Sequence, residues 1–295
     1  MLGMSRGNGA NPWPGRSAFR PRHWAQAQAE NPLARFVPFS SLVSPHDVIT
    51  RGGDYLRVWR LDGVAFECAD EHQIGERHEA LCSLLRNLAG GQWAVWTHRL
   101  HRVVSDSLQD PARPGFARDL SQAYQAKLGE RRMMSNELYL TLVYRPNVSR
   151  MSRALQSTQR TRAAIAEAQA EALRVMEERT ALVGRVLRGF CPELLGTREH
   201  RGQTCSEVAE FLGYLVNGCW RPIPMRAGPL YRTLPTARLS FGGDKLELRQ
   251  GDQCRYALVD IKEYADAVEP GILNALLYEA SEFIEAQSFS ILPRR

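Results

Sequence analysis

The stretch WAVWTHRLHRVV, residues 93–104, decides the fold class because its alternating pattern predicts one long β-strand. A helix is predicted just before it, at Glu71–Leu88, and Gly90-Gly91 ends that helix. The helix prediction rests on residues that recur three or four positions apart, namely Ile74, His78, Leu81, Leu85 and Leu88. A strand paired in sequence with a helix in this way indicates an α+β protein.

Further β-type segments lie on both sides of this unit. Before the helix, short runs at Asp47–Arg51, Tyr55–Leu61 and Val64–Glu67 are separated by Gly52-Gly53 and Asp62-Gly63, which predicts a β-meander. After the strand, Arg118–Arg131 predicts a polar helix, and Glu137–Tyr144 predicts a strand of strong β formers.

The second half of the chain begins with a long helical pattern at residues 150–189, rich in Ala, Glu, Gln and Arg. Its narrow apolar stripe predicts a helix that lies on the domain surface or against a partner. A turn at Phe190–Gly196 and a short apolar helix at Cys205–Val216, capped by Asn217-Gly218, follow. The remaining predictions are strands at Ala237–Phe241, Lys245–Arg249 and Arg255–Ile261, a helix at Pro270–Ile284 and a final strand at Ala286–Leu292.

The chain is therefore expected to form an α+β domain with a mixed or antiparallel sheet, packed helices and one long surface helix. Residues 1–32, rich in Pro, Arg and Gly, are interpreted as a flexible basic tail. Residues 33–295 form the domain, with 33–149 and 150–295 as candidate subdomains.

Composition narrows the class of protein. The 295 residues are 44% hydrophobic, enough for a core, and carry a formal net charge of +6. This modest basic excess permits nucleic acid, anionic lipid or an acidic partner and selects none of them. No secretory signal or spanning segment is found, and the six cysteines show no C-x-x-C pair, so a reduced, cytoplasmic protein is expected.

The clearest exclusion concerns nucleotide. A P-loop needs Gly-Lys-Ser/Thr after a Gly-rich turn, and the three lysines, Lys127, Lys245 and Lys262, follow Ala126, Asp244 and Ile261. No dinucleotide fingerprint, serine-hydrolase elbow or H-E-x-x-H motif is present either. No ATPase site is therefore predicted in this chain.

The remaining candidates for chemistry are weak. His98 and His101 lie three apart on a strand and so point to opposite faces, which opposes a shared metal. His72 and His78 on the first helix have acidic neighbours but lack metalloprotease spacing. Cys205, with His200 nearby in sequence, is the one thiol considered as a nucleophile, and the sequence offers no further support for it.

Several motifs in order resemble the N-terminal domain of the conjugation and type IV secretion ATPases, the CagE–TrbE–VirB family. They run from about Phe36 to Leu292 and are GDYL at 53–56, WAVWTH at 93–98, NELYLT at 136–141, EVAEFLGYLVNG at 207–218, RPIP at 221–224, IKEY at 261–264 and QSFS at 287–290. The resemblance implies a cytoplasmic-face ATPase, hexameric at work, that energises pilus assembly and substrate export. The chain ends at Arg295, about where the motor of that family is expected to begin, so ATP and Mg²⁺ would belong to that motor and no cofactor is expected here.

The resemblance implies that such a domain docks on inner-membrane subunits and is peripheral to the inner membrane. The surface considered for docking comprises Arg150, Arg153, Arg160, Arg162, Phe211 and Tyr214. Arginines on the long helix suit acidic partners or anionic headgroups, and a solvated face with Glu/Arg pairs stays equally open. The alternative function is a free-standing nucleic-acid-binding protein of a mobile element, with Trp93, Trp96, Tyr139 and Tyr144 as candidate stacking rings; specific nucleic acid is not the expected partner.

Overall fold

A computed structural model describes residues 33–64, 69–104, 115–129, 133–146, 161–226, 228–241, 246–250, 252–256 and 273–290. Its centre is a seven-stranded sheet in which every pairing is antiparallel. Its strands are β1 (Phe39–Leu42), β2 (Asp47–Thr50), β3 (Tyr55–Leu61), β4 (Trp93–Val104), β5 (Met133–Tyr144), β6 (Pro192–Leu194) and β12 (Phe283–Ser290). They are arranged in the order β1-β2-β3-β5-β4-β12, and β6 pairs with β3 on the same edge as β2.

Helices connect and cover these strands. They are α1 (Glu71–Asn87), α2 (Phe116–Gly129), α3 (Arg162–Val186), α4 (Glu207–Asn217) and α5 (Leu230–Thr233), with 3-10 turns at Leu33–Arg35, Leu187–Phe190 and Asn274–Tyr278. Two smaller sheets accompany them: the hairpin β7 (Thr197–His200) with β8 (Gln203–Ser206), and β9 (Arg238–Phe241), β10 (Leu246–Gln250) and β11 (Asp252–Tyr256) in a three-stranded antiparallel set. The prediction of an α+β fold with an antiparallel sheet is confirmed.

The sheet lies between two helical layers because neighbouring residues of a strand face opposite sides. In β4, Ala94 and Leu100 belong to a first core that includes α4 and α5, whereas Trp93 and Val95 belong to a second core with α1 and α3. The largest fully buried side chain, Phe211 of α4, lies in the first core. Both faces of the central strands are therefore covered.

The long helix α3 is joined to the sheet by an ion cluster whose central pair, Arg57 and Asp47, is buried, whereas the side chain of Glu177 on α3 is 73% exposed. Arg57 of β3 is 3% exposed and donates to both carboxylate oxygens of Asp47 at 2.8 and 2.7 Å. The same guanidinium donates to Glu177 at 2.6 Å and Thr180 at 2.7 Å, both on α3. Burial alone would lower the pKa of Arg57, but these hydrogen bonds and charges raise it, so the guanidinium stays charged.

Many predicted elements are confirmed with small boundary shifts. β4 matches its predicted span to the residue, α1 ends one residue early because Leu88 is its C-cap, and β5 begins four residues early. α2 begins two residues before its predicted start. α3 covers residues 162–186 of the predicted long helix, and the 3-10 turn Leu187–Phe190 contains its last three residues. The predicted strand at Val64–Glu67 lies outside the described residues except for Val64, which is not in a strand.

Three predictions are wrong. The predicted helix at Pro270–Ile284 is only a 3-10 turn, and Phe283 and Ile284 already belong to β12, which pairs over eight residues with β4. The predicted turn at Phe190–Gly196 contains β6, which completes the sheet beside β3. Cys205 precedes the apolar helix and lies on β8, because Ser206 is the N-cap.

The strands of the main sheet come from both candidate subdomains. β6 and β12 follow residue 150, yet they pair with β3 and β4. The division at 149/150 stays a prediction about folding units, as does the tail at 1–32, which lies outside the described residues.

Candidate docking site

The candidate site is built around α4, the helix in the sequence motif EVAEFLGYLVNG. Ser206 begins the helix by accepting a hydrogen bond from the Ala209 backbone N–H at 3.2 Å. The Glu207 carboxylate accepts from the Gly196 N–H at 2.8 Å, which ties the helix to the end of β6. Eight of its eleven residues are buried, so α4 is a core element with only its ends near solvent.

Asn217 and Gly218 end α4 and hold the next segment. Gly218 has φ 69°, the left-handed conformation that Gly adopts without strain, and donates to the Tyr214 carbonyl at 2.7 Å. The Asn217 amide donates to the Leu234 carbonyl at 2.8 Å and accepts from the Thr236 and Ala237 N–H groups at 2.9 and 3.1 Å. One buried side chain thus fixes the segment after α5 against α4.

The proline loop, residues 219–226, is fixed on the other side of α4. The Ile223 carbonyl accepts from the Ser206 N–H at 2.9 Å, and the Ile223 N–H donates to the Glu210 carboxylate at 3.3 Å. A Cβ added to Gly213 would lie 2.9 Å from the Ile223 side chain, so Gly at 213 permits this close approach.

Glu210 is the charged group beneath this loop, and its side chain is only 7% exposed. Arg198 of β7 donates to both of its carboxylate oxygens at 3.0 Å. This hydrogen bonding raises the pKa of Arg198, which keeps the guanidinium charged. The Arg198–Glu210 pair therefore adds no net charge to the wall of the site.

Between α4, α5 and the proline loop lies a cleft of about 470 Å³. Its apolar lining includes Leu42, Ile223, Leu230 and Leu234. Its rim carries the exposed Arg221 and Arg226, and neither forms an ion pair with any residue that the structure describes. An apolar floor below two uncompensated guanidinium groups suits a peptide segment with an apolar anchor and an acidic residue.

Of the docking residues predicted from the sequence, the structure describes Arg162, Phe211 and Tyr214. Phe211 is fully buried and Tyr214 is 9% exposed, so both pack the first core and offer no surface to a partner. Phe211 stacks on Tyr139, and Tyr214 stacks on Trp220. Arg162 is exposed at the first turn of α3, while Arg150, Arg153 and Arg160 lie outside the described residues. Contact of these four arginines with a partner stays a prediction.

The sequence argument missed the rim arginines, although Arg221 lies in the quoted motif RPIP. The available signal was a short arginine- and proline-rich run directly after a capped apolar helix. That pattern was interpreted only as the end of a helix, because the packing of α5 and Leu42 against it depends on contacts distant in sequence.

The candidates for catalysis do not assemble. His98 lies edge-on to Phe211, and burial lowers its pKa to about 4. His101 is on the opposite face of β4, bonded to Asn136 and the Glu279 carbonyl. His72 pairs with Glu76 on the exposed side of α1, and the buried Cys205 thiol donates to the Gln203 carbonyl at 3.8 Å. Within the described ranges, no three His, Cys, Asp or Glu side chains come together as a metal site.

The aromatic residues considered for nucleic acid do not form a platform. Trp93 and Tyr144 contact each other in the second core, while Tyr139 and Trp96 lie in the first core on the other face of the sheet. Stacking of successive bases needs exposed rings on one surface. These four rings fill the interior and do not support the nucleic-acid hypothesis.

No helix in the described part of the chain is both long and apolar enough to cross a membrane. Four of the six cysteines, Cys82, Cys191, Cys205 and Cys219, are free thiols, and the side chains of Cys68 and Cys254 lie outside what the structure describes.

Comparison with known proteins gives two family matches. The model for "Type IV secretion system ATPase VirB4/TrbE, N-terminal domain" matches residues 46–151. The model for "CagE, TrbE, VirB family, component of type IV transporter system" matches residues 193–295, a range that includes α4, the proline loop and the cleft.

Individual relatives agree with these matches. The type IV secretion system protein virB4 of Brucella abortus biovar 1 (strain 9-941) is 37% identical over 279 residues, which are 92% of this chain and 34% of the relative. PtlC of Bordetella pertussis (strain Tohama I) is 36% identical over 282 residues, with the same coverage, and virB4 of Bartonella henselae is 28% identical over 258 residues, 86% of this chain and 33% of the relative. The chain thus spans about a third of the length of these relatives.

Proposed function

Since the chain belongs to the CagE, TrbE, VirB family of type IV secretion components, we propose that it is the docking domain of a secretion ATPase. In this role it links the ATP-driven motor to inner-membrane subunits of the machine, for pilus assembly and substrate export. The cleft beside α4 is the observation that carries this proposal. It is a preformed concave site with no catalytic group at its centre.

The cleft supports binding for three physical reasons. Its walls are fixed by the hydrogen bond from the Asn217 amide to the Leu234 carbonyl and by the one from the Ile223 N–H to the Glu210 carboxylate, so little order has to be gained when a partner binds. Its floor is apolar, and its volume of about 470 Å³ is in the range of ligand pockets. Arg221 and Arg226 at the rim attract an acidic segment and select against a basic one.

ATP hydrolysis is proposed to depend on a part of the protein outside these 295 residues. The absence of any Gly-Lys pair in the sequence supports this division of roles. ATP and Mg²⁺ are accordingly not expected as ligands of this chain. Hexamer formation and peripheral attachment at the cytoplasmic face of the inner membrane are proposed for the whole protein.

Co-purification with the inner-membrane subunits of the same secretion machine tests the docking role. The chain and these subunits are co-expressed, and the detergent extract is captured through the chain. The variant Arg221→Glu/Arg226→Glu is expected to lose the membrane subunit, because its rim repels an acidic segment. Arg86→Glu/Arg188→Glu serves as the control, since it makes the same change of charge on α1 and the turn after α3, both beside the second core.

Two results would contradict the proposal. One is equal capture of the subunit by the cleft variant and the control. The other is binding of single-stranded oligonucleotide by the wild-type chain that only the cleft variant loses, which would make the arginine rim a phosphate site.

A further inference from the structure

Helix α2 presents its apolar side chains to solvent. Phe116, Leu120 and Tyr124 are 80%, 58% and 56% exposed. Their spacing of four residues places them on one face of the helix, in a stripe about 12 Å long. These three residues are called the α2 stripe below.

The described side chains of α2 are exposed except for two. Ser121 and Gln125, which are four residues apart and lie away from the stripe, are half-buried. An amphipathic helix in a globular protein normally turns its apolar stripe toward the core and its polar face toward water. In α2 the apolar stripe faces outward.

The helix α2 itself carries one more basic than acidic residue. Arg118 and Lys127 lie on it with one acidic residue, Asp119. In the segments that join α2 to β4 and β5, the charges of Arg113, Arg131 and Arg132 are balanced by those of Asp106, Asp110 and Glu130. Lys127 is three residues beyond Tyr124, so its aliphatic stem can lie along the stripe while its ammonium group reaches an anionic headgroup.

These features suit a bilayer surface better than a protein groove. An interfacial helix combines Phe, Leu or Trp on one side with Lys and Arg around them, and Tyr is favoured at the level of the headgroups. Three side chains on a helix of four turns are also too few for the roughly 800 Å² that each partner buries in a standard protein interface.

We infer that α2 is a membrane-contact helix, which inserts Phe116, Leu120 and Tyr124 into the interfacial region of an anionic bilayer. The inference rests on the proposed role at a membrane face and adds a lipid contact separate from the cleft. The helix lies in the interface and does not cross it, and the strands β4 and β5 at its two ends connect it to the sheet.

Flotation of the full chain with vesicles tests this inference. Vesicles of phosphatidylcholine alone are compared with vesicles that contain about a third phosphatidylglycerol, without any partner protein. The wild-type chain is expected to float with the anionic vesicles, and Phe116→Ser/Leu120→Ser is expected to bind about tenfold more weakly or worse. Both substituted side chains are exposed, so the variant is expected to keep the melting temperature of the wild type.

The matched control is Phe36→Ser/Ile165→Ser, which removes two apolar side chains that are 66% and 51% exposed elsewhere on the chain. It should bind vesicles as the wild type does. A second readout places the helix directly: Phe116→Trp should gain fluorescence that brominated acyl chains quench, whereas Ile165→Trp should not.

Three results would overturn the inference: no flotation of the wild-type chain, equal flotation of the stripe variant and the control, or flotation that is lost only when residues 1–32 are deleted. Because no partner protein is present in this assay, its failure leaves the docking proposal for the cleft untouched. Failure of the co-purification would equally leave the vesicle result standing.

Discussion

Replacing Arg57 with Met is expected to lower the free energy of unfolding by about 3–5 kcal/mol, because it leaves a buried carboxylate without its cation. The Asp47 side chain is 1% exposed and receives two hydrogen bonds from Arg57. After the substitution, the Ser44 hydroxyl at 2.5 Å is the side-chain donor that remains to Asp47 among the described contacts. A single hydroxyl cannot replace the charge of the guanidinium.

The expected loss of stability is large because the Arg57–Asp47 pair is buried, whereas a second ion pair of the same strand is exposed. Arg60 pairs with Glu193 at 2.6 Å, but the two side chains are 48% and 56% exposed. An exposed pair contributes about 0–1 kcal/mol, since water screens the charges and solvates either partner alone. Arg60→Met is therefore the matched control.

Urea denaturation followed by circular dichroism measures both variants, with the free energy extrapolated to water. Replacing both partners, as Asp47→Leu/Arg57→Met, should recover part of the loss, because no charge is then left buried. If Arg57→Met cost no more than Arg60→Met, the argument that the buried Asp47 carboxylate depends on the guanidinium of Arg57 would be refuted.

Two further predictions concern pH and nucleotide. Burial holds the pKa of His98 at about 4, below the 6.5 of an exposed histidine, so the unfolded chain takes up a proton that the folded chain refuses as pH falls from 6.5 toward 4. In this pH window the free energy of unfolding should fall by about 2–3 kcal/mol more in the wild type than in His98→Gln. Urea titrations at several pH values measure this difference. Identical pH profiles of the two proteins would show that His98 takes up protons freely in the folded state. Calorimetry with millimolar Mg-ATP should give no binding heat, whereas micromolar affinity would reveal a nucleotide site that the motifs do not predict.

Elements with a strong local pattern were predictable from the sequence. The alternation in Trp93–Val104 and the 3–4 spacing in α1 each have one good structural solution, and both elements form as expected. Gly218 at φ 69° ends α4 as the Asn-Gly pair predicts. In these cases the local preference and the final packing agree.

Elements that depend on distant partners were not predictable. The segment Phe283–Ser290 contains an apolar helix-like beginning, yet it pairs with β4 about 180 positions earlier in the chain, and those ladder hydrogen bonds outweigh its local preference. The hairpin β7–β8 turns through Arg201 at φ 49° and Gly202 at φ 74°, and an Arg in that conformation gives no usual turn signal.

The candidate site shows the same division. The apolar character of Phe211 and Tyr214 indicated an important helix, but only packing shows that they face the core and that Arg221 and Arg226 form the accessible rim. The outward-facing stripe of α2 was also hidden, because spacing of four predicts an apolar face without saying whether the protein covers it.

Photocrosslinking from the cleft tests the docking role most directly. A photoreactive phenylalanine analogue is placed at Arg221, or at Arg188 as the control, in cells that carry the whole secretion machine, and the crosslinked products are identified by mass spectrometry. The account predicts that position 221, but not position 188, yields a product with an inner-membrane subunit of the machine. Products with nucleic acid or with cytoplasmic proteins alone, or the same membrane product from both positions, would contradict it.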